Sequence, residues 1–242
     1  MREGVMEKSG HHIVGDSWFA ILDFIFPPLC LSCSVPLLNG RKSVCNPCWD
    51  SIERVSALHP LFLETREKLL TSEQVNGLVS EFVFEREGAF QHIAHALKYG
   101  GYESLGVELG RKLAEVFLAS GGGGDVLVPI PLHKRKFRER GYNQAERIAH
   151  GMSQATLIPL RTDLLRRTRF TQSQTTLTLE ERKKNVEAAF EVVPGKERVV
   201  KGKTIVLIDD VITTGATIVS CASTLRDAGA LTIIASSPAL AR

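Results

Sequence analysis

Two adjacent carboxylates, Asp209 and Asp210, end an apolar run at residues 205–208 and lead into the small, hydroxyl-rich stretch Thr213, Thr214, Gly215, Ala216 and Thr217. Carboxylates only accept hydrogen bonds. Beside a phosphate they therefore suit sugar hydroxyls, or a Mg²⁺ ion reached through water, and not the phosphate itself. The stretch after them can do the opposite job, aiming backbone N–H groups and threonine hydroxyls at an anion. It needs a particular support: a strand covered on both faces before it, which the apolar run 205–208 predicts, and a helix after it, which the spacing over 218–226 predicts. The turn then sits at a helix N-terminus, where the helix dipole favours a phosphate. An ordinary strand-to-helix turn with capping aspartates explains Asp-Asp alone. The full run, with the right element on each side, points to a phosphate-binding turn with Asp209 and Asp210 beside it as candidate catalytic residues.

A second anion site is expected at residues 131–144. Lys134, Arg135, Lys136, Arg138 and Arg140 fall within seven positions, directly after the apolar strand signal at 126–130 and before the turn and helix signals at 141–154. A charge run is often only a solvated loop. In an open α/β sheet, however, the loops at strand carboxyl ends converge on the ligand crevice, and arginine grips phosphate oxygens bidentately. We read this segment as a basic loop for pyrophosphate, with phosphodiesters as the alternative anion.

Cys30, Cys33, Cys45 and Cys48 form two Cys-x-x-Cys pairs and account for all but one of the five cysteines. Such pairs can present four thiolates tetrahedrally to Zn²⁺, holding together a segment too small for its own core. Two disulfides or a redox dithiol remain the other readings of the spacing. Four thiolates close the coordination sphere, so the zinc would be structural. His59 is an unneeded extra ligand, and Cys221 reads as a small buried residue in the helix after the phosphate turn.

The elements that carry these residues fit a chain of 242 residues with 43% apolar content, long enough for one α/β domain and a small appendage. We expect residues 1–77 to be a zinc-ribbon module with a bridging helix, and residues 78–242 to be the main domain, which starts with a strand at 78–85 and helices at 89–98 and 103–118. The net charge of +3 does not by itself announce a nucleic-acid binder. The apolar run 18–26 is interrupted by Asp23, is shorter than the roughly 20 residues a membrane span needs and lacks a cleavage site, so a cytoplasmic protein is expected.

The run from Asp209 to Thr217 resembles the PRPP (5-phosphoribosyl-1-pyrophosphate) signature of type I phosphoribosyltransferases, with Ala216 where many relatives carry glycine. Together with the cysteine pairs, Leu97 to Gly100, Val128 to Leu132, Arg138 to Gln144 and the segment from Arg166 to Phe190, the chain resembles the ComF family, the competence-protein-F-like phosphoribosyltransferases. The resemblance implies a type I phosphoribosyltransferase fold, a central parallel sheet flanked by helices, behind a small four-cysteine zinc ribbon. It implies that Asp209 and Asp210 take the ribose hydroxyls and that a flexible hood containing Arg169, Gln174 and Arg182 closes over the substrate. The cofactors are then Mg²⁺ with PRPP and one structural Zn²⁺, since no further cysteine pair follows Cys48. PRPP is the expected small-molecule partner. Single-stranded DNA, or a competence or helicase protein, is the expected partner on the alternative reading, and a homodimer is left open. Nothing in the sequence specifies the acceptor.

Overall fold

The computed structural model describes residues 27–37, 43–168 and 189–242. The hood residues Arg169, Gln174 and Arg182 and the apolar run 18–26 lie outside the described residues. Among the described residues no helix is long and apolar enough to cross a membrane.

The sheet is parallel and carries helices on both faces. Its order is β1 (Gly77–Phe84), β7 (Thr232–Ala241), β5 (Thr204–Ile208) and β2 (Val126–Pro129), and the short β6 (Val211–Ile212) also pairs with β7. Alternation decides which face each side chain serves. From β5, Val206 and Ile208 enter the core under α3 (Ala89–Tyr99), α4 (Glu103–Ala119) and α6 (Gln144–Thr156), while Ile205 and Leu207 enter the core under α2 (Pro60–Thr71) and α8 (Ala216–Asp227). Every β5 residue after Thr204 is buried, in line with the unbroken apolar run.

Helices α4 and α6 touch backbone to backbone. A Cβ on Gly110 would stand 2.0 Å from the Ile148 carbonyl oxygen, and one on Gly151 would stand 2.1 Å from that of Val107. The Arg147 guanidinium adds an ion pair to Glu103 at 2.7 Å across the same contact. This packing fixes where α6 begins, and Asn143 and Gln144 at its start face the cleft described below.

The basic segment expected as a loop is instead a short helix, α5 (Lys134–Arg140). His133 Nδ1 accepts the Arg135 N–H at 3.2 Å and caps its start, Arg135 pairs with Glu139 one turn on, and Gly141 ends it with φ of 81°. These local bonds offset the repulsion between its cations. Two further features lie beyond the sequence reading: β7, and the antiparallel pair β3 (Leu165–Arg167) and β4 (Phe190–Val192). The Thr168 N–H donates to the Ala189 carbonyl at 2.9 Å, one bond beyond this ladder.

The amino-terminal cysteine region contains the short helix α1 (Asn46–Asp50), and a further four-residue helix, α7 (Glu197–Val200), precedes β5. Cys30, Val44, Trp49 and Ile52 share one core with Phe82 and Phe90, and Trp49 stacks on Phe82 with ring centroids 5.6 Å apart. The Trp49 indole N–H and the Ser43 N–H both donate to the Glu108 carboxylate on α4, at 2.9 and 3.2 Å. Residues 53–55 lie along the free edge of β1, with hydrogen bonds from Val55 N to Glu81 O and from Val83 N to Glu53 O. An edge that would otherwise invite another strand is thereby covered.

Glu81 on that strand is buried and paired to Arg54 at 2.7 Å, while its Oε2 meets no hydrogen-bond partner among the described residues. Burial raises its pKa, against the pull of Arg54 and Lys112. An acid raised by folding contributes most when protonated, so its contribution is present below the ordinary carboxyl range and is lost as pH rises through the raised value. Glu81→Gln should therefore flatten the fall in melting temperature as pH rises above the ordinary carboxyl range in calorimetric scans, and an unchanged slope would refute the raised pKa.

Candidate active site and metal centre

The turn between β5 and α8 has the strand before it and the helix after it that its sequence predicts. Asp209 N–H donates to Ser236 O of β7 at 3.0 Å, which carries the chain off the end of β5 in register, and Asp209 Oδ1 accepts the Asp210 N–H at 2.9 Å. After β6 the chain turns at Gly215, whose φ is 77°; a Cβ there would also stand 2.8 Å from Leu69 Cδ2 of α2. Both facts call for glycine. Gly215 is the N-cap of α8 and supplies no capping side chain, so Thr213, Thr214 and Ala216 sit exposed around an open helix N-terminus. Local bonding there amounts to Thr214 Oγ1 accepting the Ala216 N–H at 3.4 Å.

Asp209, Asp210 and Thr217 line a cleft of about 190 Å³ whose cations come from three separate elements: Lys98 from α3, Lys136 and Arg140 from α5, and Arg167 from β3. Two carboxylates thus face several cations across a small space. Lys98 Nζ lies 2.8 Å from Asp210 Oδ2. Desolvation alone would raise the Asp210 carboxyl, but Lys98, then the hydrogen bond with Asp209, then Arg140 outweigh it and hold Asp210 below its usual range. Asp209 moves the other way, driven up by burial and by the negative charge of Asp210. Lys136 remains exposed as a residue, yet desolvation of its ammonium, together with Arg140 and Arg167, pulls its pKa down. A positive field of this kind is suited to an anion with several charges.

Of the basic residues singled out in the sequence, Arg140 and Lys136 reach the cleft lining, whereas Lys134, Arg135 and Arg138 are exposed outside it. Arg140 is oriented by donating to Gln144 Oε1 at 2.8 Å and by standing 5.5 Å from the centre of the Tyr99 ring. Asn143 ties the wall together. Its amide nitrogen donates to Ile130 O at the end of β2, and its Oδ1 caps α6 through the Ala145 N–H. Sequence reasoning counts Lys98 among the residues of the family resemblance and Arg167 in the stretch that the resemblance makes the hood, but gives neither an individual role in the site. The signal for Lys98 is a charged residue between buried Leu97 and the helix-ending Gly100, and it acquires meaning only when α3 is set against β5.

The sulfur atoms of Cys30, Cys33, Cys45 and Cys48 all lie within 4.8 Å of one another, with Cys33 and Cys45 Sγ 3.7 Å apart. Zn–S bonds of about 2.3 Å in a tetrahedron place sulfurs about 3.8 Å apart, so this donor set fits Zn²⁺. Cys30 is held at about 6: burial raises it, but the N–H groups of Cys45, Cys33 and Ser32 lower it further. Cys48 is pushed up to about 12 by burial and by the neighbouring cysteines. Four sulfurs this close would all be thiolates only beside a cation, and a divalent metal would answer that need. His59 is not part of the group. Its Nδ1 caps α2 by accepting the Leu61 N–H, and its Nε2 meets Glu53.

Residues 104–239, more than half of the chain, match the phosphoribosyl transferase domain family. The DNA utilization protein YhgH of Shigella flexneri is 28% identical over 220 residues, covering 86% of this chain and 94% of that protein. Competence protein F of Haemophilus influenzae is 31% identical over 105 residues, 43% of this chain and 45% of its own length. Competence protein ComFC of Bacillus subtilis is 37% identical over 106 residues, covering 43% of this chain and 39% of that protein. With the parallel sheet, the acid pair at its carboxyl edge and the four-cysteine group ahead of it, the chain belongs to the phosphoribosyl transferase domain family as one of its ComF-type members.

Proposed function

We propose that the protein binds PRPP with Mg²⁺ in this cleft and transfers the phosphoribosyl group to an amine or nucleobase nitrogen in a process linked to DNA use. The observation that carries the reading is the placement of Asp209 and Asp210 between an open helix N-terminus and the Lys136–Arg140 wall. The α8 N-terminus and Thr217 would hold the 5′-phosphate, the acid pair the ribose hydroxyls, and Lys136, Arg140 and Arg167 the pyrophosphate. In the reaction the bond from ribose C1 to the pyrophosphate oxygen breaks, a C–N bond forms, pyrophosphate leaves and the acceptor nitrogen gives up a proton. Bound Mg²⁺ would neutralise charge on the pyrophosphate. This chain's part is positioning and electrostatic stabilisation, and no residue is assigned as general base.

Calorimetric titration of PRPP with and without Mg²⁺ tests the reading. The metal-loaded protein should bind PRPP in a Mg²⁺-dependent way, and the Asp209→Asn, Asp210→Asn double variant should lose roughly a hundredfold or more, since each removed carboxylate takes away charge-assisted bonds to the ribose. Equal affinity in the double variant would remove the ribose site.

A second reading rests on the exposed face of α5. Phe137, 48% exposed, stands among Lys134, Arg135 and Arg138, outside the cleft. Bases interleaved with an aromatic suit single-stranded nucleic acid, so the protein would act as a DNA-binding competence factor with PRPP as a signal. If Lys134→Ala with Arg138→Ala leaves the salt slope of single-stranded DNA binding unchanged, that face is not the DNA surface.

A further inference from the structure

We infer that Lys98 is a positioning residue of the ribose subsite, acting through Asp210 to keep its carboxylate aimed at the sugar hydroxyls. The inference rests on the PRPP-site reading and deepens it. The ordinary account of a lysine in the last turn of a helix is that it complements the dipole from solvent. Lys98 departs from that account. Its side chain is only 26% exposed, and it crosses from α3 to meet Asp210 Oδ2 at 2.8 Å inside the cleft.

The end of α3 is fixed on two sides. The buried Tyr142 hydroxyl donates to the Leu97 carbonyl, one residue before Lys98. On the other side the Tyr102 ring lies so close to Gly100 that a Cβ there would meet it at 2.7 Å. The ammonium is therefore delivered by a held backbone and not by a free arm. The consequence is a division of labour among the cleft cations. Lys98 is engaged with an acid, while Arg140 is held by the Gln144 side chain and the Tyr99 ring and stays available to the polyanionic part of a ligand. With Asp209 adjacent and also a carboxyl, Asp210 without Lys98 would face a like group with only the longer-range field of Arg140 against it, and the orientation set by the direct pair would be lost.

The ligand itself can separate this role from plain anion binding. Ribose 5-phosphate carries the diol and no pyrophosphate; inorganic pyrophosphate carries no diol. Binding of each, and of PRPP with Mg²⁺, is measured by calorimetry for wild type, Lys98→Met and Lys98→Arg. Lys98→Met should weaken ribose 5-phosphate and PRPP by roughly tenfold and leave pyrophosphate within about twofold, and Lys98→Arg should restore most of the loss because a guanidinium also pairs with a carboxylate. In an Asp210→Asn background Lys98→Met should cost little more, since the two act as one unit. Equal weakening of pyrophosphate would make Lys98 an anion contact and overturn the inference, as would full retention of ribose 5-phosphate affinity. Should Lys98→Met fold poorly in thermal scans, Lys98→Gln replaces it in the same comparison. Wild type that binds neither ribose 5-phosphate nor PRPP defeats the parent reading and this role together, whereas wild-type binding with an indifferent Lys98→Met defeats this role alone.

Discussion

Stripping metal from the cysteine cluster, or replacing Cys48 with Ser, is expected to unfold far more than the knuckle. The cluster has little interior of its own; its apolar residues Trp49, Val44 and Ile52 are part of the core that also holds Phe82 and Phe90. Glu108 receives both Trp49 and Ser43, so loosening the ribbon leaves a carboxylate on α4 without either donor. Structural zinc contributes on the order of 10 kcal/mol to small metal-held folds, against a total stability of about 5–15 kcal/mol for a typical domain. A strong chelator should accordingly lower the main melting transition, or abolish it, with loss of the near-ultraviolet signal of buried Trp49. A main transition that stayed in place while the cluster lost its metal would show that the ribbon is only an attachment.

Gly110→Ala should be the next most damaging change, although it adds a single methyl group. The new Cβ would meet three backbone atoms of α6, Ile148 O at 2.0 Å, Met152 N at 2.8 Å and Ile148 C at 2.9 Å, and none can rotate away. The helices must separate, which opens gaps along buried Leu109, Leu113, Ile148 and Met152. Overpacking a core costs about 1–3 kcal/mol, and a clash with backbone belongs at or above the top of that range. Gly123→Ala is the matched control, because nothing lies within 4 Å of a Cβ there. It should be neutral or slightly stabilising through the unfolded chain. Chemical denaturation of the two variants decides the matter: equal midpoints would mean that α4 and α6 slide apart at little cost.

The parts of the molecule legible in its sequence are those encoded by neighbours. The cysteine pairs, the strand before Asp209, the glycine turn and the helix after it all follow from spacing over a dozen residues, and each forms in the structure where its spacing puts it. The misses share a cause. Lys98 and Arg167 gain their place in the cleft from α3 and β3, each of which reaches Asp209 and Asp210 only through the tertiary fold. The basic segment reads as a loop because its charge run is conspicuous, whereas the cap from His133 and the stop at Gly141 that make it helical are single-residue signals. Strand β7 escapes notice because Ser236, Ser237 and Pro238 break its apolar pattern. The serines are buried nonetheless, and Ser237 bonds to Ala239 O within its own strand.

That same strand governs when the molecule can take shape during synthesis. β1 emerges from the ribosome more than a hundred residues ahead of β7, its partner along the sheet, because the strand that joins it to β5 is the last of the sheet's strands in chain order. Until β7 is translated, β2 and β5 can pair, but β1 and the ribbon residues packed on it have no sheet to join. At about 5–20 residues per second, that leaves a nascent chain with Phe82, Phe84 and the cysteines uncovered for several seconds or longer, the interval in which chaperones, premature metal capture and aggregation compete for it.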